Sequence, residues 1–228
     1  MKASDLKNAR LGKGWTQVQT ACHMGVTQAY WNFLENGKRK LTLQLAQKAM
    51  QVFELSADML PLTGDFVPVW VGDEQLVNML ARLKYPGFSH VLTRTPRKNP
   101  SEVLLTSLVQ PSLDARVAEA LPWVALKFAK PDPWLVDNSR KLNLQNKLGF
   151  VVTLARQVAE RRGENPNVSD LLQLEKTLDG SRLAREGFFY RPPFTETEKE
   201  WLRKNRSQDA AHWNLLSDMK PEHLKYAS

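Results

Sequence analysis

Residues 16–37 read TQVQTACHMGVTQAYWNFLENG, two short helical patterns on either side of one glycine. Thr16 is placed as a helix cap, because its hydroxyl can accept from a backbone N–H one turn further on. In the first pattern Gln17, Thr20, Ala21 and Met24 share a face, and the last three are small or apolar enough to pack. Gly25 stands where a chain leaving a helix turns left-handed, which glycine does without steric cost. Thr27 caps the second pattern, in which Trp31 and Leu34 are spaced for burial and Gly37 follows the end. Helix, glycine turn, helix is the order of a helix-turn-helix. The second helix turns Gln28, Ala29 and Asn32 outward, short or amide side chains in place of a charged, solubilising face. Gln and Asn can each bond two edge atoms of adenine in a major groove.

The surrounding chain narrows the class. Its 42% hydrophobic and 25% charged residues are those of a folded globular protein. No apolar run approaches the ~18 residues a membrane span needs. The start, MKASDLKNARLGKG, has no apolar signal-peptide stretch, and the single Cys22 cannot form an internal disulfide. These features predict a cytoplasmic protein without a membrane partner. Residues 1–60 hold eight Lys and Arg against four acids, a net of +4, while the other 168 residues carry 24 against 20, also +4. Net positive charge per residue is thus nearly three times denser at the N-terminus, which fits an anionic partner such as nucleic acid; a solvated basic face is the alternative reading.

Residues 5–60 resemble the lambda-repressor-like, XRE-type DNA-binding domain, a bundle of about five helices. The residues that carry the likeness are Thr16-Gln17, Ala21, Gly25-Val26, Gln28, Tyr30 and Leu34-Glu35-Asn36-Gly37, followed by basic Lys38, Arg39 and Lys40, then Leu45-Ala46 and Leu60. The resemblance implies that Gln17 meets phosphate at its helix N-terminus and that Gln28, Ala29 and Asn32 meet bases, with Thr16 and Thr27 also at the DNA. It places Lys38, Arg39 and Lys40 along the DNA backbone, and it implies an Arg10–Glu35 pair that braces the fold. Three positions depart from the pattern: Thr20 where Leu is usual, Trp31 where Ile or Val is common, and Phe33 where a polar residue is expected. Phe33 reads either as a lone exposed aromatic or as a contact to the rest of the chain or to a dimer mate. Cys22 and His23 have no further Cys or His nearby, so no metal site is expected.

Residues 61–74, PLTGDFVPVWVGDE, break the helical rhythm with two prolines and two glycines and read as a connector with an extended piece at 66–71. The predicted division is a DNA-binding domain at 1–62, a connector at 63–74 and a larger, mainly helical interaction domain at 75–228. Helices are expected at 74–83, 113–128 (opening with Asp114 and interrupted at Pro122), 134–142, 144–162, 168–186 and 195–205. A short terminal helix is expected at Pro221, and residues 88–101 read as an irregular loop bearing Arg94, Arg97 and Lys98. The clearest pattern is 144–162, where Leu148, Val151, Val152, Ala155, Val158 and Ala159 make one stripe. Thr195 and Glu198 have capping-box spacing. The fold class is therefore mostly α.

Catalytic patterns are missing from the sequence. His90, His212 and His223 are far apart, and no HExxH, paired-Cys or glycine-rich phosphate motif occurs. Neither an enzyme nor a cofactor is expected. Trp123, Trp134, Trp201 and Trp213 read as core or interface anchors. The stretches LPWVALKF, KLNLQNKLGFVVTLAR and HWNLLSDMKPEHLKYA resemble the C-terminal region of bacterial helix-turn-helix regulators that act as antitoxins of AbiEii-type nucleotidyltransferase toxins. That resemblance implies a repressor of its own operon whose second domain neutralises a toxin encoded beside it; a homodimer is expected because one such DNA-binding domain reads only a half-site. The competing expectation is a ligand-responsive or phage-type repressor, in which the second domain senses a small molecule or dimerises.

Overall fold

The computed structural model describes residues 1–64, 66–161, 163, 167–192 and 195–224. Among them are twelve α-helices, three short 3-10 turns and one pair of two-residue strands, and no helix is long and apolar enough to cross a membrane. The chain divides into two compact units: residues 1–64 joined by 96–99, and the remainder.

The first unit contains α1 (Ala3–Gly12), α2 (Gln17–Met24), α3 (Gln28–Glu35) and α4 (Leu43–Val52). Three threonines start three of these helices: Thr16, Thr27 and Thr42 accept from the backbone N–H of Gln19, Tyr30 and Leu45. Gly25 takes the left-handed conformation, φ +66°, that closes α2 and turns the chain into α3. Leu6, Ala21, Met24, Trp31, Leu34, Ala49 and Phe53 form the core. Thr20 and Trp31, two of the departures from the family pattern, are both fully buried, and the Thr20 hydroxyl has no hydrogen-bond partner. After these four α-helices of the expected bundle of about five comes a single 3-10 turn, Ala57–Met59. Leu60 leaves it extended, ψ 140°, as the residue before a proline must. The segment 96–99 belongs here as well, because the Asn99 amide donates to the carbonyls of Leu60 and Asp58 and the Gln47 amide to that of Arg97.

The second unit contains α5 (Asp73–Arg82), α6 (Pro100–Leu108), α7 (Ala115–Phe128), α8 (Pro133–Lys141), α9 (Gln145–Arg161), α10 (Val168–Asp179), α11 (Glu196–Asn205) and α12 (Gln208–His212). Strand β1 (Gly187–Phe188) pairs in parallel with β2 (Leu215–Leu216). Helix α9 is the hub and packs chiefly against α10 and α7. Twelve of its seventeen residues are buried, so its apolar surface is wider than the one stripe of the sequence pattern. Trp213 lies wholly inside, its indole N–H donating to Thr153 Oγ1 of α9 at 2.8 Å. The Thr153 hydroxyl donates to Glu175 of α10, whose carboxylate also takes Arg156.

Several sequence expectations change here. Helix α7 runs through Pro122 without interruption. Proline removes one i→i−4 bond, but Leu121, Pro122, Trp123, Val124 and Ala125 are all buried, and that packing outweighs the lost bond. Helix α10 ends at Asp179 rather than 186, with Gly180 as its C-cap. Helix α6 begins inside the expected loop; buried over Val103–Leu108, it has no polar stripe by which to be recognised. Among the described residues the extended piece at 66–71 pairs with no strand. The Gln110 side chain holds it instead, donating to the Val69 carbonyl and accepting from the Val71 N–H. Thr195 accepts from the Glu198 N–H, and Pro221 opens a 3-10 turn. Arg162, the expected end of the long helix, and residues 225–228 lie outside the described residues.

The closest fit in the second unit sets a test. A Cβ on Gly149 would fall within the Trp213 ring. Gly149→Ala is expected to destabilise by about 2 kcal/mol or more, as overpacking does. Gly12→Ala meets nothing within 4 Å and is expected to be neutral or stabilising by no more than about 1 kcal/mol. Urea unfolding of the two variants followed by circular dichroism checks both.

Candidate DNA-binding face

The site is built outward from a buried carboxylate. Glu35, at the last turn of α3, receives four hydrogen bonds: Arg10 Nε at 2.6 Å, Arg10 Nη2 at 3.2 Å, Trp31 Nε1 at 2.8 Å and Gln17 Nε2 at 2.9 Å. Arg10 also donates to the Trp15 carbonyl, 2.9 Å away. Burial disfavours the Glu35 charge, but the donors from Arg10, Gln17 and Trp31 outweigh it and hold the carboxyl below its ordinary value of 4.5. This is the Arg10–Glu35 brace that the family resemblance implies, with Gln17 and Trp31 added to it.

From Glu35 a chain of amides runs to the surface. Gln17 Oε1 accepts from Asn32 Nδ2 at 3.2 Å, and Asn32 Oδ1 accepts from Asn36 Nδ2 at the same distance. The Asn36 amide also caps the Asn32 carbonyl at 2.8 Å. Two of the residues expected to meet DNA, Gln17 and Asn32, are therefore half-buried and held in one orientation, while Thr16, Thr27, Gln28 and Ala29 stand exposed. Phe33 is 41% exposed, so within its own unit it is a surface aromatic. By helical spacing it neighbours Ala29, four residues back along α3.

Lys38, Arg39 and Lys40 are all exposed, in the loop after α3. Gly37, at φ +68°, starts that loop, and the Phe33 carbonyl accepts from the N–H groups of Lys38 and Arg39. Among the described residues none of the three cations has a carboxylate partner. Their charge is therefore available to an outside anion. Cys22 and His23 are exposed; the His23 ring stacks on Trp15 with centroids 4.2 Å apart. Among the described residues no cluster of three or more His, Cys, Asp or Glu is arranged to hold a metal.

Two features escaped the sequence. Asn36, quoted there only as part of a motif, positions Asn32. Segment 96–99 adds Arg97 and exposed Lys98 to the first unit; nothing local at residues 96–99 marks that destination.

Residues 6–60 match a family model described as helix-turn-helix. They form an XRE-type helix-turn-helix domain, about a quarter of the chain. That family is a DNA-binding regulatory one, and the match suggests a DNA-binding transcription regulator. No curated protein and no solved structure gives a significant match to the chain.

The brace makes the face sensitive to acid. Because the folded carboxyl of Glu35 lies below 4.5, its stabilising contribution is complete above that pH and is lost as pH falls through the folded value. Glu35→Gln leaves the Arg10 charge buried without its counter-ion and is expected to cost about 3–5 kcal/mol at neutral pH. The gap between wild type and variant should narrow as pH drops from 5 towards 3, read by urea unfolding of the full chain.

Proposed function

We propose that the protein is a sequence-specific transcriptional repressor that binds its own operator as a homodimer. In this reading residues 1–62 read DNA, residues 75–228 hold and neutralise a toxin encoded beside it, and residues 63–74 join them. The observation that carries the DNA reading is α3, with Gln28 and Ala29 exposed and Asn32 half-buried, followed by three exposed cations that have no acidic partner among the described residues. Gln28 and Asn32 carry the adenine-reading amides, while Lys38, Arg39 and Lys40 meet the phosphates with Thr16, Gln17 and Thr27. Two-fold symmetry would give the domain two half-sites about one turn of DNA apart. The protein works in the cytoplasm, without a cofactor or a catalytic step.

Support for a protein partner comes from tryptophans left in water. Trp70 is 71% and Trp201 52% exposed, whereas Trp123 and Trp213 are core. Large exposed aromatics are the usual anchors of protein interfaces. A second reading, a ligand-responsive repressor, is favoured by a cavity of about 360 Å³ in the second unit.

Gln28→Ala is expected to weaken operator binding by roughly 1–3 kcal/mol and random-sequence binding very little. Replacing Lys38, Arg39 and Lys40 by Ala should weaken both alike and flatten the dependence on salt. Fluorescence anisotropy with the promoter duplex at two salt concentrations distinguishes them, and failure to shift any duplex at low salt would refute the reading.

For the partner, Trp70→Ala with Trp201→Ala in the full chain should abolish co-purification of the neighbour-encoded protein while operator affinity is kept. Retained co-purification would rule out those tryptophans as anchors.

A further inference from the structure

The cavity lies where the end of α6, the first turn of α9 and the β1–β2 pair meet. Its walls are largely apolar, with Leu108, Pro111, Leu144, Phe188 and Leu215 among them. The polar groups on it are mostly spent. The Asn146 amide bonds the Leu183 backbone in both directions. Gln110 serves Val69, Val71 and Thr106, and Glu186 is held by Arg203 and Arg206.

Lys147 is only partly spent: its Nζ donates one hydrogen bond, to the Leu108 carbonyl at 3.4 Å. It lines the cavity beside Leu108 and Phe188, its Nζ 5.6 Å from the centroid of the Phe188 ring. Among the described residues no carboxylate pairs with it. Burial pulls its pKa down to about 8, so the charge is present at neutral pH but poorly solvated. An amine in apolar surroundings without a counter-ion is costly. For core filling a leucine or methionine would serve better. Arg185, exposed on the cavity's lining, adds a second cation without a carboxylate partner among the described residues.

We propose that this cavity binds a small organic acid, its apolar body against Leu108, Pro111, Leu144, Phe188 and Leu215 and its carboxylate against Lys147 Nζ, with Arg185 as the second cation. The volume, about 360 Å³, is at the lower end for small-molecule sites, ~300–1,000 Å³. One buried amine suits a singly charged head; a phosphate dianion would bring a charge that the apolar walls cannot solvate. The inference supplies the ligand-responsive reading with its chemical class, and binding itself needs neither DNA nor toxin.

Titration calorimetry of the full chain with sodium octanoate and with octan-1-ol tests it. Octanoate should bind saturably, about tenfold or more tighter than the alcohol, the difference expected of one charge-assisted contact. Lys147→Met, which keeps the buried stem, should erase that preference while leaving the alcohol bound as before; Lys147→Arg should restore it. Arg185→Ala should weaken octanoate two- to threefold. Equal affinity for acid and alcohol, no saturable binding of octanoate, or an undiminished preference in Lys147→Met overturns the site. A promoter-binding assay with and without octanoate then judges the ligand-responsive reading separately: unchanged operator affinity in a protein that binds octanoate leaves the site standing and removes that reading.

Discussion

A single buried carboxylate determines how the first unit is arranged. Taking an ionised group out of water costs several kcal/mol unless its lone pairs are filled. Glu35 fills them with donors from α1, α2 and α3 at once. None of those helices exceeds ten residues, too short to persist alone in water. Their mutual angles are therefore fixed by one electrostatic requirement as much as by the small apolar core. The amide chain through Gln17, Asn32 and Asn36 carries the same constraint to the surface. Gln17 and Asn32 have thereby lost rotamer freedom in the free protein, and a ligand that met them would not spend free energy to order them.

What was legible in the sequence follows from how local each cause is. A threonine hydroxyl reaches three residues ahead, and a glycine at positive φ answers to its own sterics, so the caps and turns of α2 and α3 could be read directly. The partners of Glu35 are 4 to 25 positions away, and the Arg10 contact came only with the family resemblance. Periodicity worked for α9, although the structure buries more of it than a stripe. It failed for α6, whose residues from Val103 to Leu108 are all buried; a helix surrounded by protein has no reason to keep one polar side. The β1–β2 pair, two residues in each strand, is too brief to have a period at all. Of the candidate site, the exposed residues could be named from the sequence, but the inward bonds of Gln17 and Asn32 could not.

The second unit is organised by volume. Gly149 exists to admit the Trp213 ring, and that indole finds its hydrogen-bond acceptor four residues along the same helix, on Thr153. Thr153 and Arg156 then share Glu175 of α10. Packing and polar satisfaction are thus solved by the same few side chains on α9. One turn at the start of that helix is left over, where Asn146 and Lys147 line the cavity.

Segment 96–99 bears on how the two halves could have been assembled in evolution. The chain leaves the first unit after residue 64, comes back for four residues, and leaves again. Those four residues deliver the Asn99 amide to the carbonyls of Asp58 and Leu60, the ends of backbone that the 3-10 turn leaves open. A helix-turn-helix module cut from this protein at a single linker would carry away two acceptors without their donor. The first unit is contiguous as a family match but discontinuous as a folded body, so recombination at residue 62 would exchange an incomplete part. Successful grafts onto other effector domains would need to bring an amide of their own.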